Sequence, residues 1–96
     1  MRPSEALANH RDRVIDIAAA RGARSVRVFG SVVKGLDREG SDLDLLVDLP
    51  PGTSLVGIVG LQLEIEDVLG VKVDLCTEIE LHPALKERIL AEARPL

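Results

Sequence analysis

Three carboxylates carry the chemistry that this chain can be read for. Asp42 and Asp44 stand one residue apart in Ser41-Asp42-Leu43-Asp44-Leu45-Leu46-Val47-Asp48, and Asp74 stands in Val71-Lys72-Val73-Asp74-Leu75. In an extended strand, side chains two residues apart share a face, which sets Asp42 and Asp44 together with Cα atoms about 6.5 Å apart. Carboxylates so placed can share two ions separated by about 3.5–4 Å. Oxygen-only ligands favour Mg²⁺ or Mn²⁺ over zinc. If the Asp74 strand lies beside the Asp42 strand, the cluster has three members, and a bound cation relieves their mutual repulsion. An Asp inside an apolar strand needs a partner, so Asp44 and Asp74 are the stronger candidates. Asp42 taken alone is ordinary turn chemistry, and Asp48 reads as a solvated strand end.

Upstream lies Phe29-Gly30-Ser31-Val32-Val33-Lys34-Gly35. Gly30 lacks a Cβ and so lets a phosphate approach the backbone. Ser31 offers a hydroxyl and an N–H at the start of the next turn, a favourable place for phosphate oxygens. Lys34 adds a positive charge. Each feature alone is a commonplace strand-to-turn junction or surface lysine. Joined to the carboxylates, they form a set suited to a nucleoside triphosphate and its metal ions.

The elements that must position these groups follow from periodicity. Residues from Pro3 to about Arg21 read as a helix with Leu7, Val14, Ile17 and Ala18 on one stripe, ended by Gly22. Ser25–Phe29 reads as a short strand, Ser31–Lys34 as a short helical turn stopped by Gly35, and 36–41 as a polar loop. Asp42–Leu49 reads as a central strand whose Leu43, Leu45 and Val47 point away from the carboxylates into a core. Thr53 or Ser54 caps a helix running to about Leu69, with Leu55, Ile58, Leu61, Ile65 and Val68 facing inward and Gly70 closing it. Val71–Cys76 is a third strand, and Pro83 starts a last helix with Leu85, Ile89 and Leu90 inside. The order predicts an α/β (α+β) domain: one small sheet with helices packed on it.

Composition bounds the rest. Ninety-six residues, 46% of them hydrophobic, suit a single domain over 1–96. Phe29 is the one aromatic residue, so there is no platform for stacking single-stranded nucleic acid. The net charge of −4 argues against a coat for DNA or RNA, and no direct nucleic-acid partner is expected. Cys76 is the sole cysteine, excluding an intramolecular disulfide. With no apolar signal core and no run of 18 apolar residues, the expectation is a cytoplasmic protein without a membrane partner. His82 before Pro83, His10 among charges, Cys76, the run Glu64, Glu66 and Asp67, and Arg11, Arg13, Arg21 and Arg24 are all read as structural or solvated, and the pair Glu78 and Glu80 has no evident partner.

Gly30-Ser31, Gly35 and Ser41-Asp42-Leu43-Asp44, with Asp74 on a later strand, resemble the minimal nucleotidyltransferases of the DNA polymerase β superfamily. The closest likeness is to the MNT-domain proteins, the MntA-like antitoxins that accompany HEPN-domain toxins. It spans nearly the whole chain. The resemblance implies a nucleotidyltransferase fold with a small mixed sheet, whose edge binds metal and triphosphate. Gly30 and Ser31, with Lys34, would hold ATP. Asp42 and Asp44 would bind two Mg²⁺ ions, and Asp74 would bind one and help to activate the acceptor hydroxyl. The reaction implied is transfer of AMP from ATP, with release of pyrophosphate, to a hydroxyl of a partner protein. In this family that hydroxyl is a tyrosine of a HEPN ribonuclease toxin, which the modification silences. Relatives often carry a basic residue directly after Gly-Ser. Here Val32 stands in that position and Lys34 is the nearby cation.

Two other readings compete. One is an antitoxin that neutralises its toxin by complex formation without catalysis. The other is transfer to a small molecule or an RNA end, which the short chain and acidic balance disfavour. With no residues left over for an acceptor-binding domain, either another protein or an oligomer would complete the site.

Overall fold

Alternation along the apolar strands decides which side chains meet the helices and which are left for chemistry. The computed structural model describes residues 1–96. Helix α1 (Pro3–Ala20) leads into β1 (Ser25–Phe29), a run of turns, β2 (Leu43–Asp48), α2 (Leu55–Leu69) and β3 (Val73–Thr77). A single 3-10 turn (Glu78–Glu80), α3 (Pro83–Glu92) and β4 (Arg94–Pro95) complete the chain. The sheet order is β3-β2-β1-β4. Strands β1 and β2 pair antiparallel, as do β1 and β4, whereas β2 and β3 run parallel across the α2 crossover. This is the small mixed sheet with packed helices that the sequence predicts.

One sheet face carries Val28, Leu43, Leu45, Val47, Val73 and Leu75 into the core. Ala6, Leu7, Val14 and Ala18 of α1 and Leu61, Ile65 and Leu69 of α2 meet them there. All of these are aliphatic, so the core rests on close packing of branched side chains. Leu46 projects to the opposite face with Asp44 and Asp48 and is nonetheless only 1% exposed.

Ends are set by local chemistry. Pro3 occupies the first turn of α1, where its missing N–H costs nothing. Ser54 accepts from the Gly57 N–H at the start of α2, and Gly70 closes that helix in a left-handed conformation. His82 accepts from the Ala84 N–H through Nδ1 and so caps α3.

Several details depart from the sequence reading. Ser31–Lys34 forms hydrogen-bonded turns, not a helical segment. Strand β3 starts at Val73 and runs to Thr77, because the Val73 N–H donates to the Glu66 carboxylate at 2.8 Å, which ties the strand's start to α2. Glu66 is therefore anchored, not merely on a wet face. Leu55 is exposed at the start of α2. Helix α3 buries no residue: Leu85 is exposed, and Ile89 and Leu90 are half-buried. Strand β4 was not foreseen, since two residues including a proline carry no strand pattern.

Candidate active site

The carboxylates gather where the loops feed β2 and β3. The Leu43 N–H donates to the Lys72 carbonyl at 2.8 Å, locking the starts of the two strands together. The parallel register then sets Asp44 directly beside Asp74. Asp42 lies just before β2 and is exposed, as is Asp74, whereas Asp44 is half-buried. Burial, then the charges of Asp74, Asp42 and Glu92, push the Asp44 carboxyl up to about 6.

None of Asp42, Asp44 and Asp74 enters an ion pair with a basic side chain; the chain's ion pairs all lie elsewhere. In the present rotamers no three ligand side chains converge to enclose an ion. The donor set nevertheless fits a hard divalent cation: oxygen-only, clustered, one member half-buried, and without a counter-charge from the protein.

Gly30 follows β1, where Phe29 pairs across to Asp44. Its φ of +75° is left-handed, and a Cβ there would collide with the Asp44 carboxylate. Glycine is thus favoured by the backbone conformation, and any larger residue would also have to displace the Asp44 carboxylate. The turn beyond it is held by the Lys34 N–H to the Gly30 carbonyl (3.3 Å), the Gly35 N–H to the Val32 carbonyl (3.2 Å) and the Leu36 N–H to the Ser31 carbonyl (2.9 Å). Such a left-handed residue followed by a turn is a backbone concavity suited to anions. Val32 and Val33 pack against the core, so the residue after Gly-Ser anchors the turn instead of projecting charge. The Gly30 N–H donates to the Glu92 carboxylate at 2.9 Å, and Lys34 Nζ lies 3.7 Å from the same carboxylate. Lys34 is therefore engaged and not simply solvated.

The structure thus brings Gly30, Asp44 and Asp74 to one place, with Asp42 close enough to Asp44 to oppose its ionisation and Lys34 tied to Gly30 through Glu92. Sequence reasoning passed over Glu92 entirely. It also passed over Asp37, which is 5% exposed and accepts from the Ser4 N–H at 2.9 Å, fixing the loop before Asp42 to the start of α1. The Arg38 N–H donates to Ser41 Oγ at 2.9 Å in the same loop. Glu78, read as partnerless, accepts from Arg27 at 2.7 Å, and Glu80 accepts from the Thr77 hydroxyl at 2.8 Å. Burial, with Asp74, Glu80 and Asp44 nearby, pushes the Cys76 thiol up to about 11, so it stays protonated and unreactive. A hollow of about 510 Å³ lies at the far end of β2 between Arg24, Asp48, Pro50, Ile58 and Ile79, away from the carboxylates.

Comparison with known proteins gives a consistent picture. A family model described as a nucleotidyltransferase domain matches residues 10–96. A candidate protein adenylyltransferase of Methanocaldococcus jannaschii is 42% identical over 81 residues, covering 84% of this chain and 87% of its own length. The protein adenylyltransferase MntA of Thermococcus cleftensis is 38% identical over 71 residues, covering 74% and 72%. Among solved structures, a candidate minimal nucleotidyltransferase superposes with a TM-score of 0.87 at 47% identity, over 97% of this chain and 95% of that one. A toxin–antitoxin complex solved with AMP-PNP contains a chain with a TM-score of 0.77 at 17% identity, over 88% and 69%, a likeness of fold.

Proposed function

This chain belongs to the nucleotidyltransferase domain family, and from that premise we propose that it transfers AMP from ATP to a hydroxyl of a partner protein. The acceptor we infer is a tyrosine of a HEPN ribonuclease toxin, making the chain an antitoxin. Relatives at 42% and 38% identity carry the name protein adenylyltransferase, the first as a candidate. The observation that carries the reading is the abutment of Gly30 on Asp44, with Asp74 alongside. It supports the reading by setting the Gly30 turn and the acidic side chains together at one end of the sheet.

In this reading Asp42, Asp44 and Asp74 hold two Mg²⁺ ions. Bound there, the ions would neutralise phosphate charge and lower the pKa of the attacking hydroxyl. Gly30 and Ser31 offer backbone N–H groups and a hydroxyl to the triphosphate, and Lys34 adds a cation. Asp74, exposed at the start of β3, would accept the proton of the incoming hydroxyl. The hydroxyl oxygen bonds to the α-phosphorus, the bond to the bridging oxygen breaks, and pyrophosphate leaves. The acceptor comes from another protein, with residues 1–96 acting as one catalytic domain. No helix is long and apolar enough to cross a membrane, and a cytoplasmic setting suits a single unpaired cysteine.

The test is intact-mass spectrometry of the co-expressed toxin after incubation with this chain, ATP and Mg²⁺. One or more added AMP masses, absent with Asp44→Asn, are expected; no gain despite a stable complex would overturn the reading.

A second reading is neutralisation by binding alone. It is favoured by an exposed apolar stripe on α2, formed by Leu55, Val56, Val59 and Leu63, a surface suited to a protein contact. Neutralisation by a folded Asp42→Asn, Asp44→Asn double variant at equal expression would favour it.

A further inference from the structure

We propose that Glu92 is the resident occupant of the phosphate-binding turn and that nucleotide must displace it, so that this one side chain sets the affinity for ATP. The inference rests on the nucleotide reading of Gly30 and Lys34 given above.

The carboxylate of Glu92 does what a phosphate oxygen would do there. One oxygen accepts from the Gly30 N–H at 2.9 Å, and the other lies 3.7 Å from Lys34 Nζ. Both donors belong to the turn assigned to the triphosphate. The side chain is 20% exposed, so it is seated in the turn and not waving above it. Its charge also bears on Asp44, whose carboxyl is raised by burial and then by Asp74, Asp42 and Glu92. What holds Glu92 there is its two donors, the Gly30 N–H and Lys34.

Chain geometry explains how it arrives. Strand β4 pairs antiparallel with β1, Arg94 opposite Val28 and Pro95 opposite Arg27. Continued by two residues, that register sets Glu92 opposite Gly30. Glu92 is the last residue of α3. That helix buries none of its residues, so its final turn can yield without opening the core. Departure of Glu92 would leave Gly30 and Lys34 free for an incoming anion. It would also take one negative charge away from the carboxylates as the metal-bound nucleotide arrives. Occupancy by Glu92 scales the apparent affinity down by the fraction of molecules in which the turn is empty.

The experiment is calorimetric titration of the full chain with AMP-PNP and Mg²⁺, using wild type, Glu92→Ala, Glu92→Gln and Glu92→Asp, each checked for fold by circular dichroism. Losing one modest hydrogen bond from the competing state predicts roughly three- to tenfold tighter binding for Glu92→Ala. Glu92→Gln keeps the size and an acceptor but not the charge, and should tighten by less. Glu92→Asp keeps the charge but is one methylene shorter than the distance to Gly30 requires. Tightening in Glu92→Asp is expected if displacement is the cause. Wild-type affinity in Glu92→Asp beside tighter binding in Glu92→Ala would mean simple charge removal and would overturn the proposal. Equal or weaker binding in Glu92→Ala would overturn it too, and would leave the nucleotide reading standing. If no chain binds AMP-PNP, the nucleotide reading falls and this inference falls with it.

Discussion

The carboxylate of Asp44 stands where a side chain on Gly30 would have to go. The contact follows from the antiparallel register, which pairs Phe29 with Asp44 and brings the next residue against the Asp44 side chain. The Gly30 turn and the Asp44 carboxylate are thereby adjacent because two strands are hydrogen-bonded, not because they are close in sequence.

Gly30→Ala is accordingly expected to fail twice. The left-handed φ of +75° costs a non-glycine residue about 1–2 kcal/mol, and the new methyl group displaces Asp44. Urea unfolding should show a loss of at least that size, and AMP-PNP binding should disappear. Stability within about 0.5 kcal/mol of wild type would refute the cost assigned to the left-handed backbone.

Asp44→Asn separates chemistry from folding. Without metal at neutral pH, the substitution removes a half-buried charge crowded by Asp74, Asp42 and Glu92. The metal-free protein should then be more stable than wild type by about 1 kcal/mol, after allowance for screening at a half-open site. Addition of Mg²⁺ should raise the melting temperature of wild type and not of the variant, and AMP transfer should be lost. A variant that is destabilised without metal would contradict the electrostatic account.

Stability should respond to pH with opposite signs from two aspartates. The Asp44 carboxyl is raised from its ordinary 3.8 to about 6, so its folded state holds a proton more tightly than the unfolded state. Its contribution is full below pH 3.8 and is lost as pH rises through about 6. Asp37 is lowered, first by the hydrogen bond from the Ser4 backbone. Its contribution is present above pH 3.8 and is lost as pH falls through its depressed value. Denaturant titrations of metal-free protein between pH 3 and 8 should show the high-pH decline flatten in Asp44→Asn and the acid loss shrink in Asp37→Asn. Unchanged profiles in both variants would refute the assignment.

Arg27 and Glu78 form a pair whose loss should be felt away from the site. Arg27 donates to Glu78 at 2.7 Å with both side chains partly covered, and Arg27 Nε is buried without a partner. Glu78→Ala strands the guanidinium and should cost about 1 kcal/mol. A double-mutant cycle with Arg27→Met should return a favourable coupling; zero coupling would make the pair incidental.

Much of this protein is written in local pattern. Alternation in Leu43-Asp44-Leu45 and Val73-Asp74-Leu75 fixes which side chains enter the core and which stay on the carboxylate face. Gly30 and Gly70 mark left-handed positions, and Ser54 marks a helix start. These features obey periods of a few residues, so the strands, the helices and the three carboxylates are legible without a structure. What lies between distant segments is not. The bond from Gly30 to Glu92 spans 62 residues and that from Arg27 to Glu78 spans 51. The two-residue β4 has no pattern of its own, and the exposure of α3 depends on what the helix packs against. A periodic sequence constrains one element at a time. Which charges confront one another is decided when strands choose neighbours, because only that pairing sets Asp44 beside Asp74 and carries Glu92 to the turn at Gly30.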